Sequence, residues 1–322
     1  MTVRAYLFDA DGQDQEVQVS ESLISNLSQR HILWIDVEGH DEQELTEVGR
    51  LIHLHRQSLR NLLNPIGRPR LDIYGEYFQV NVVAIRQKDR HYEPLELDLF
   101  SGPNYVVTFH HEPIEFLNNF NEQIQGDTQI GQLNAASFLA ALLDWHISSY
   151  FGVLDRLEDD VDDLDEVALL KPADRAFLRR LVDLRRRVSE VRQMLAPHRE
   201  VFAALARPDF EAIAATESAA HFRALEDRLD RALDAVEHAR EMIIGTFELF
   251  MTGTSQSTNE TMKVLTVVTV LVGAMGVIAG IMGMNFQADF FSSGTEGFYA
   301  VLGGMIVLLV LILVIARWRK WF

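Results

Sequence analysis

Along this 322-residue chain the spacing of apolar positions changes character twice. Up to about residue 130 the apolar residues come in short bursts that alternate between strand and helix periods. Ile32-Leu33-Trp34-Ile35-Asp36-Val37 reads as a strand, and Asp41 to Leu54 as a helix opened by an acidic cap. Tyr74 to Ile85 is rich in aromatic and β-branched residues. Leu95, Leu97 and Leu99 alternate with Glu96, Asp98 and Phe100, and Tyr105 to Phe109 follows a Gly-Pro-Asn turn. Strands mixed with helices predict an α/β or α+β domain over residues 1–130, with the strand order open.

From about Leu133 the pattern is helical, and residues 131–258 are expected to form a helical stalk region. Asp155 to Glu166 is a dense acidic run. Phe177 to Leu205 is a second helical stretch, basic at Arg185-Arg186-Arg187 and kinked at Pro197, and Pro208 breaks the chain. Phe222, Leu225, Leu229, Ala232, Val236, Ala239, Ile243 and Phe250 then fall mostly at alternating three- and four-residue spacing. That is a heptad-like seam, suited to a helix packed along its length against others. Either one helix runs from Phe222 to Met282, roughly 90 Å at ~1.5 Å per residue, or two helices meet at a hinge at Gly253.

The second change comes at the C-terminal end. Val264 to Met282 and Phe298 to Ala316 contain no charged side chain. Each run can cross the ~30 Å hydrocarbon core of a bilayer as a helix. This predicts a transmembrane hairpin: a first span at 259–285, an outer loop at 286–297, and a second span with a basic tail at 298–322. Lys263, Arg317, Arg319 and Lys320 flank the spans, whereas the loop carries only Asp289 and Glu296. Positive flanks favour the cytoplasm, so both termini are expected inside and Gly283-Met284-Asn285 outside. Trp318, Trp321 and Phe322 suit an aromatic anchor. The opening Met-Thr-Val-Arg-Ala-Tyr lacks the apolar core of a signal peptide. The expected location is therefore the cell inner membrane, with a lipid bilayer as partner.

The net charge of −18 sits almost wholly in the polar part. It argues against nucleic acid, which needs Lys and Arg clusters. Glu158, Asp159, Asp160, Asp162 and Asp163 either concentrate cations near a pore mouth or form a plain solvated helix face. The chain has no Cys, which removes disulfides and thiolate metal sites. His53 with His55, and His110-His111-Glu112, are either transition-metal ligands or ordinary surface. Residues 1–250 show no Gly-rich phosphate loop, His-Glu-x-x-His, Gly-x-Ser-x-Gly or Cys nucleophile, so no enzyme and no cofactor is expected. The competing reading is a membrane-anchored cytoplasmic signalling or structural protein without transport.

Met262-Lys263-Val264-Leu265-Thr266 at the start of the first span, Gly283-Met284-Asn285-Phe286 at its end, and the tail Arg317 to Phe322 resemble the CorA family of divalent-cation channels and transporters. That family includes a ZntB-like zinc branch. The polar part is similar to it as well, through Trp34-Ile35-Asp36-Val37-Glu38-Gly39, Arg68-Pro69-Arg70, Gly102-Pro103-Asn104-Tyr105 to Phe109, Leu184-Arg185-Arg186-Arg187 and Pro197-His198-Arg199-Glu200. The resemblance implies an α+β protein: an N-terminal cytoplasmic αβα domain, a long helical stalk and a C-terminal two-helix hairpin, assembled as a funnel-shaped homopentamer. It implies a selectivity filter at Gly283, Met284 and Asn285, with the Asn285 ring meeting the hydrated cation, where the bare sequence admits a helix C-cap instead. Gly283 is expected to supply the backbone freedom for that turn. The implied pore stripe is Asn259, Met262, Thr266, Thr269, Gly273, Gly276 and Gly280. Its threonines either face an ion's water or bond back to their own helix, and its glycines either widen the pore or pack helices closely. The implied cargo is Mg²⁺, Zn²⁺, Co²⁺ or Ni²⁺. Leu59-Arg60-Asn61 stands where magnesium-gated members carry Leu-Glu-Asp, and Gln287-Ala288-Asp289 where many carry Met-Pro-Glu. Both departures lean toward zinc-like or broad divalent selectivity.

Overall fold

The computed structural model describes residues 2–28, 30–39, 41–64, 67–124, 130–170, 175–210, 213, 218–284 and 294–319. These divide into two units, residues 1–164 with 178–244, and residues 165–177 with 245–322.

In the first unit, seven strands among the described residues form one sheet in the order β2-β1-β3-β7-β6-β5-β4. They are β1 (Thr2–Asp9), β2 (Gln15–Glu16), β3 (His31–Glu38), β4 (Arg70–Tyr74), β5 (Tyr77–Lys88), β6 (His91–Ser101) and β7 (Tyr105–His110). Only β3 and β7 are parallel; every other neighbour is antiparallel. Ile32 to Ile35 is apolar without alternation because helices cover both faces of β3. On one face Leu33, Ile35, Val37, Val107 and Phe109 meet Leu45 and Val48 of α2 (Glu42–Leu51) and Leu62 of α3 (Arg56–Leu63). On the other, Trp34 meets Phe120 of α4 (Glu115–Gln123) and Phe138 of α5 (Ala135–Leu170) edge to face, and Phe8 meets Phe138 at a tilt.

Two expected helices are divided. The helix read from Asp41 to Leu54 stops at Leu51, and His53 adopts φ 54 so that Ile52 and Leu54 both stay buried. His55 then caps α3 through Nδ1, which accepts from Gln57 N–H at 3.2 Å. The kink read at Pro197 is a two-residue break between α6 (Arg175–Leu195) and α7 (His198–Leu205). Proline has no N–H to continue the ladder.

That break places His198 in the core. β4 pairs with β5 only between Tyr77 and Asn81, so Val83 lacks a strand partner on that side. His198 Nε2 accepts from Val83 N–H at 3.0 Å, and Tyr150 OH donates to Val83 O at 2.6 Å. Two side chains thus replace a missing ladder, as buried backbone groups require. His198 Nδ1 donates to Leu195 O at 3.1 Å, and His146 Nε2 lies 3.2 Å from His198 Nε2. Burial pushes both imidazoles down, His198 to about 4, and the neighbouring His198 lowers His146 further.

The seam lies on α8 (Ser218–Met282), a continuous helix of 65 residues that passes through Gly253 without a hinge. Its length is roughly 98 Å. Phe222, Leu225, Leu229, Ala232, Val236, Ala239 and Ile243 are all buried within the first unit. The rim of the seam carries Arg228 to Asp144 of α5 at 2.6 Å, Arg192 of α6 to Glu237 at 2.6 Å, and Arg199 of α7 to Asp230 at 2.8 Å. In the second unit Phe250 stacks on Phe177 with ring centroids 4.2 Å apart. This unit also holds α9 (Gly294–Trp318).

Leu229 and Val236 are the positions where the seam is tested. Leu229→Asp with Val236→Asp buries two unpaired carboxylates, at a cost of about 3 kcal/mol or more. The thermal midpoint of the full chain is expected to fall sharply, and a midpoint like the parent's would remove the seam from the core.

The histidine pair sets a pH window. Its folded-state pKa values lie below the unfolded value of about 6.5, so the unfolded chain binds protons that the core refuses. The stability is complete above about pH 6.5 and is lost as pH falls toward 4. Buried Asp98 is pushed up to about 6 by desolvation and acts in the opposite sense, so variants must be compared with each other. In His146→Phe the acid limb is expected to lose ~1.4 kcal/mol per pH unit of its slope. Thermal midpoints from pH 7 to 4.5 measure it, and an unchanged limb would place the titration elsewhere.

Candidate functional site

From Val264 onward α8 has the composition of a membrane span, and α9 matches it; each is long and apolar enough to cross a bilayer. Val272 is 67% exposed and Val307 65%, values that water does not tolerate along a whole helix. The less exposed positions of α8 are Val267, Leu271, Ala274, Met275, Ile278 and Met282, which share one face.

The opposite stripe is Asn259, Met262, Thr266, Thr269, Gly273, Gly276 and Gly280, and every member is exposed. Steps of three and four residues keep them in line. Thr266 Oγ1 donates to Met262 O at 2.7 Å and Thr269 Oγ1 to Leu265 O at 2.8 Å. The hydroxyl protons are therefore bonded back to the helix, while the oxygen lone pairs face outward. A Cβ added at Gly273, Gly276 or Gly280 would meet nothing within 4 Å. Among the described residues nothing packs closely on these glycines.

Below the stripe an open groove runs along the same helix past Thr252, Ser255, Gln256, Asn259, Glu260 and Lys263. Thr252 and Gln256 precede Asn259 at four- and three-residue steps.

At the far end, Gly283 N–H reaches Ala279 O at 2.9 Å and Gly280 O at 3.2 Å, and Met284 N–H reaches Ile281 O at 3.2 Å. The helix tightens in its last turn. Gly283 is not among the residues with positive φ. Asn285 lies outside the described residues, as do Gln287 to Asp289 and the tail from Lys320.

The acidic run sits on α5. Asp159, Asp162 and Asp163 are exposed and Glu158 half-buried. Asp160 is committed to Arg187 at 2.5 Å, and that guanidinium also bonds Tyr92 OH at 3.2 Å and lies over its ring. His110 is neither surface nor a metal ligand. It is buried, with Nδ1 on Glu112 O at 2.8 Å and Nε2 on Asp36 Oδ1 at 3.1 Å. Burial alone would lower its pKa, but the Asp36 carboxylate more than offsets this and the net shift is upward. Both of its nitrogens face oxygen acceptors, a backbone carbonyl and a carboxylate. Arg60 is exposed near the end of α3, and Asn61 Oδ1 accepts from Gln57 Nε2 at 3.1 Å. Among the described residues no group of three or more His, Cys, Asp or Glu is placed to hold a metal ion.

An apolar hairpin with a neutral polar stripe, joined to an αβα domain by one long helix, is the architecture of a transporter family. The family of CorA-like Mg²⁺ transporter proteins matches residues 29–318, and the chain belongs to it. It is a divalent-cation transporter of the CorA type. The cobalt/magnesium transport protein CorA of Thermotoga maritima is 29% identical over 293 residues, covering 89% of this chain and 83% of that protein. The complete CorA magnesium transporter structure of Methanocaldococcus jannaschii superposes with a TM-score of 0.76 at 21% identity, covering 100% of each chain. The full-length CmaX structure gives 0.71 at 22% identity, covering 98% of this chain and 97% of that one.

Proposed function

We propose that this chain moves hydrated divalent cations across the cell inner membrane through the central pore of a homopentamer, with both termini cytoplasmic. Residues 259–285 line the pore, 286–297 form the outer loop, and 298–322 form the second span and basic tail. Asn285, presented by Gly283 and Met284, forms the outer selectivity ring. Asn259, Met262, Thr266, Thr269, Gly273, Gly276 and Gly280 face the ion path, and the acidic face around Asp159, Asp162 and Asp163 raises the local cation concentration.

The observation that carries this reading is the exposed, uncharged stripe on an otherwise apolar helix. A purely anchoring hairpin has no need of it. Mg²⁺ dehydrates reluctantly, so its path must accept hydrogen bonds from bound water without stripping it. Threonine and amide oxygens do so without the deep trap that a ring of carboxylates would form. Mg²⁺ and Co²⁺ are the first cargo to test, by the name of the Thermotoga relative, with Zn²⁺ and Ni²⁺ beside them. Arg60 and Asn61 offer no carboxylate to a regulatory ion, which supports broad or zinc-like selectivity over magnesium-gated transport.

Asn285→Ala is expected to reduce selective divalent uptake into liposomes by on the order of tenfold, with the assembly intact. Parallel uptake of Mg²⁺, Co²⁺, Zn²⁺ and Ni²⁺ by parent and variant decides it. Parent-like flux and selectivity would remove Asn285 from the filter.

A cytoplasmic Mg²⁺ sensor is built on carboxylate oxygens, and α3 supplies no carboxylate at Arg60-Asn61. Millimolar Mg²⁺ is therefore expected to produce no saturable rise in melting temperature beyond that of a monovalent salt at matched ionic strength. A Mg²⁺-specific rise accompanied by reduced flux would assign the sensor to other residues.

A further inference from the structure

Two helices of the first unit turn faces of opposite charge to solvent. On α6, Leu181, Leu184 and Val188 are buried, and the opposite face carries Leu178, Val182, Arg185 and Arg186. Leu178 is 43% exposed and Val182 66%, one turn apart and uncovered. On α5, Leu157, Val161 and Leu164 are buried. The opposite face carries Asp155, Asp159 and Asp162, at steps of four and three residues.

These two faces do not meet within the chain. Among the described residues Arg185 makes no ion pair, and neither do Asp155, Asp159 and Asp162; Arg186 pairs with Glu190 of its own helix at 3.1 Å. The ion pair that joins α5 to α6 is Arg187 with Asp160. At about 100° per residue, Arg185 and Asp162 each lie about 200° round their helices from that pair, turned away from it. The chain returns antiparallel to α5, since His198 meets His146 and Tyr150 while Arg187 meets Asp160. Arg185 and Asp162 therefore stand at the same level of the hairpin. Rotation about an axis parallel to the hairpin brings Arg185 of one copy level with Asp162 of the next.

A partner for the α6 face must offer carboxylates at helical spacing, and the chain carries such a face itself. Anionic lipid also suits a basic helix, but the net charge of −18 opposes the approach of this chain to a negative surface. We propose that neighbouring copies dock head to tail, with Leu178, Val182, Arg185 and Arg186 on α6 of one copy against the Asp155, Asp159 and Asp162 face of α5 in the next. This docking rests on the homopentameric reading above, since a closed ring of this kind joins two different patches on each copy. Docking removes the apolar pair from water, and the charges fix which faces meet. The net charge of each copy is unchanged, so the long-range attraction of cations persists.

The chain has no cysteine, so engineered disulfides report the contact without background. Arg185→Cys and Asp162→Cys are made in separate full-length chains, expressed singly and together, and oxidised in the membrane. A disulfide-linked dimer is expected from the co-expressed pair and from neither variant alone, because the contact joins unlike faces. Arg186→Glu added to the Arg185→Cys chain is expected to lower the dimer yield about tenfold, through repulsion by the facing carboxylates. Asp159→Arg added to the other chain is expected to restore it. Sedimentation of the same samples in detergent reads the oligomeric state separately. Pentamers without the linked dimer would overturn the docking and leave the homopentamer standing. Linked dimers without pentamers would support the docking and remove the homopentamer. Dimers from one variant alone would assign a two-fold contact and overturn head-to-tail docking. No linked dimer, together with a melting temperature raised by phosphatidylglycerol in the parent but not in Arg185→Glu with Arg186→Glu, would overturn it in favour of anionic lipid.

Discussion

The seam of α8 is the constraint on which the rest of the first unit depends. Leu229, Ala232, Val236 and Ala239 are each at most 1% exposed, and α5, α6 and α7 all send ion pairs to the rim of that helix. The ion pairs are largely solvent-exposed, a class that contributes little to stability. Burial of the apolar stripe does the holding, at ~25 cal/mol per Å² of apolar area removed from water. The charged rim instead fixes rotation. Arg228 on Asp144 and Ser148 holds the helix at one azimuth against α5 within the first unit.

The sheet is closed on its open side by side chains rather than by another strand. β4 is too short to cover Val83, and His198 and Tyr150 take the two exposed backbone groups instead. This explains why the break at Pro197 is useful. A helix running unbroken through residue 198 would have the ring of His198 compete with i−4 bonding for position, whereas a fresh helix start lets His198 reach both Leu195 O and Val83 N–H. The cost is a pair of imidazoles held neutral in the core, with His146 Nδ1 left unpartnered.

Much of this was legible from residue order alone. The strands at Ile32 to Val37, Leu95 to Phe100 and Tyr105 to Phe109, the seam, and the two uncharged runs all follow from residue order, whereas Gly253 left both a hinge and one continuous helix open until the structure showed the latter. The break at Pro197 was legible from the proline itself, whereas the one at Ile52-His53 was not, because it is decided by which neighbouring side chains must reach the core. His110 looked like a surface metal ligand since its partner, Asp36, is distant in sequence and adjacent only across the parallel β3–β7 pair. The stripe on α8 was visible as spacing. The acidic run was visible as charge, but the commitment of Asp160 to Arg187 required the packing of α6 on α5.

The proposed pore separates two tasks that a single carboxylate ring would combine. Attraction of a cation is a long-range matter, served by the acidic balance of −18 and by exposed carboxylates such as Asp159 and Asp162. Passage is a short-range matter, and a strong ligand in the path would hold the ion there. The stripe from Asn259 to Gly280 contains no charge, and its two threonine protons are bonded back onto the helix. Those hydroxyls present acceptors to their surroundings and no free donor. A hydrated divalent cation presents its water hydrogens outward and needs acceptors of that kind. An anion, or a bare cation seeking tight ligands, finds little to bind. On this reading, charge selection by the distant field and release by a neutral path are both needed, and neither set of residues could take over the other's part.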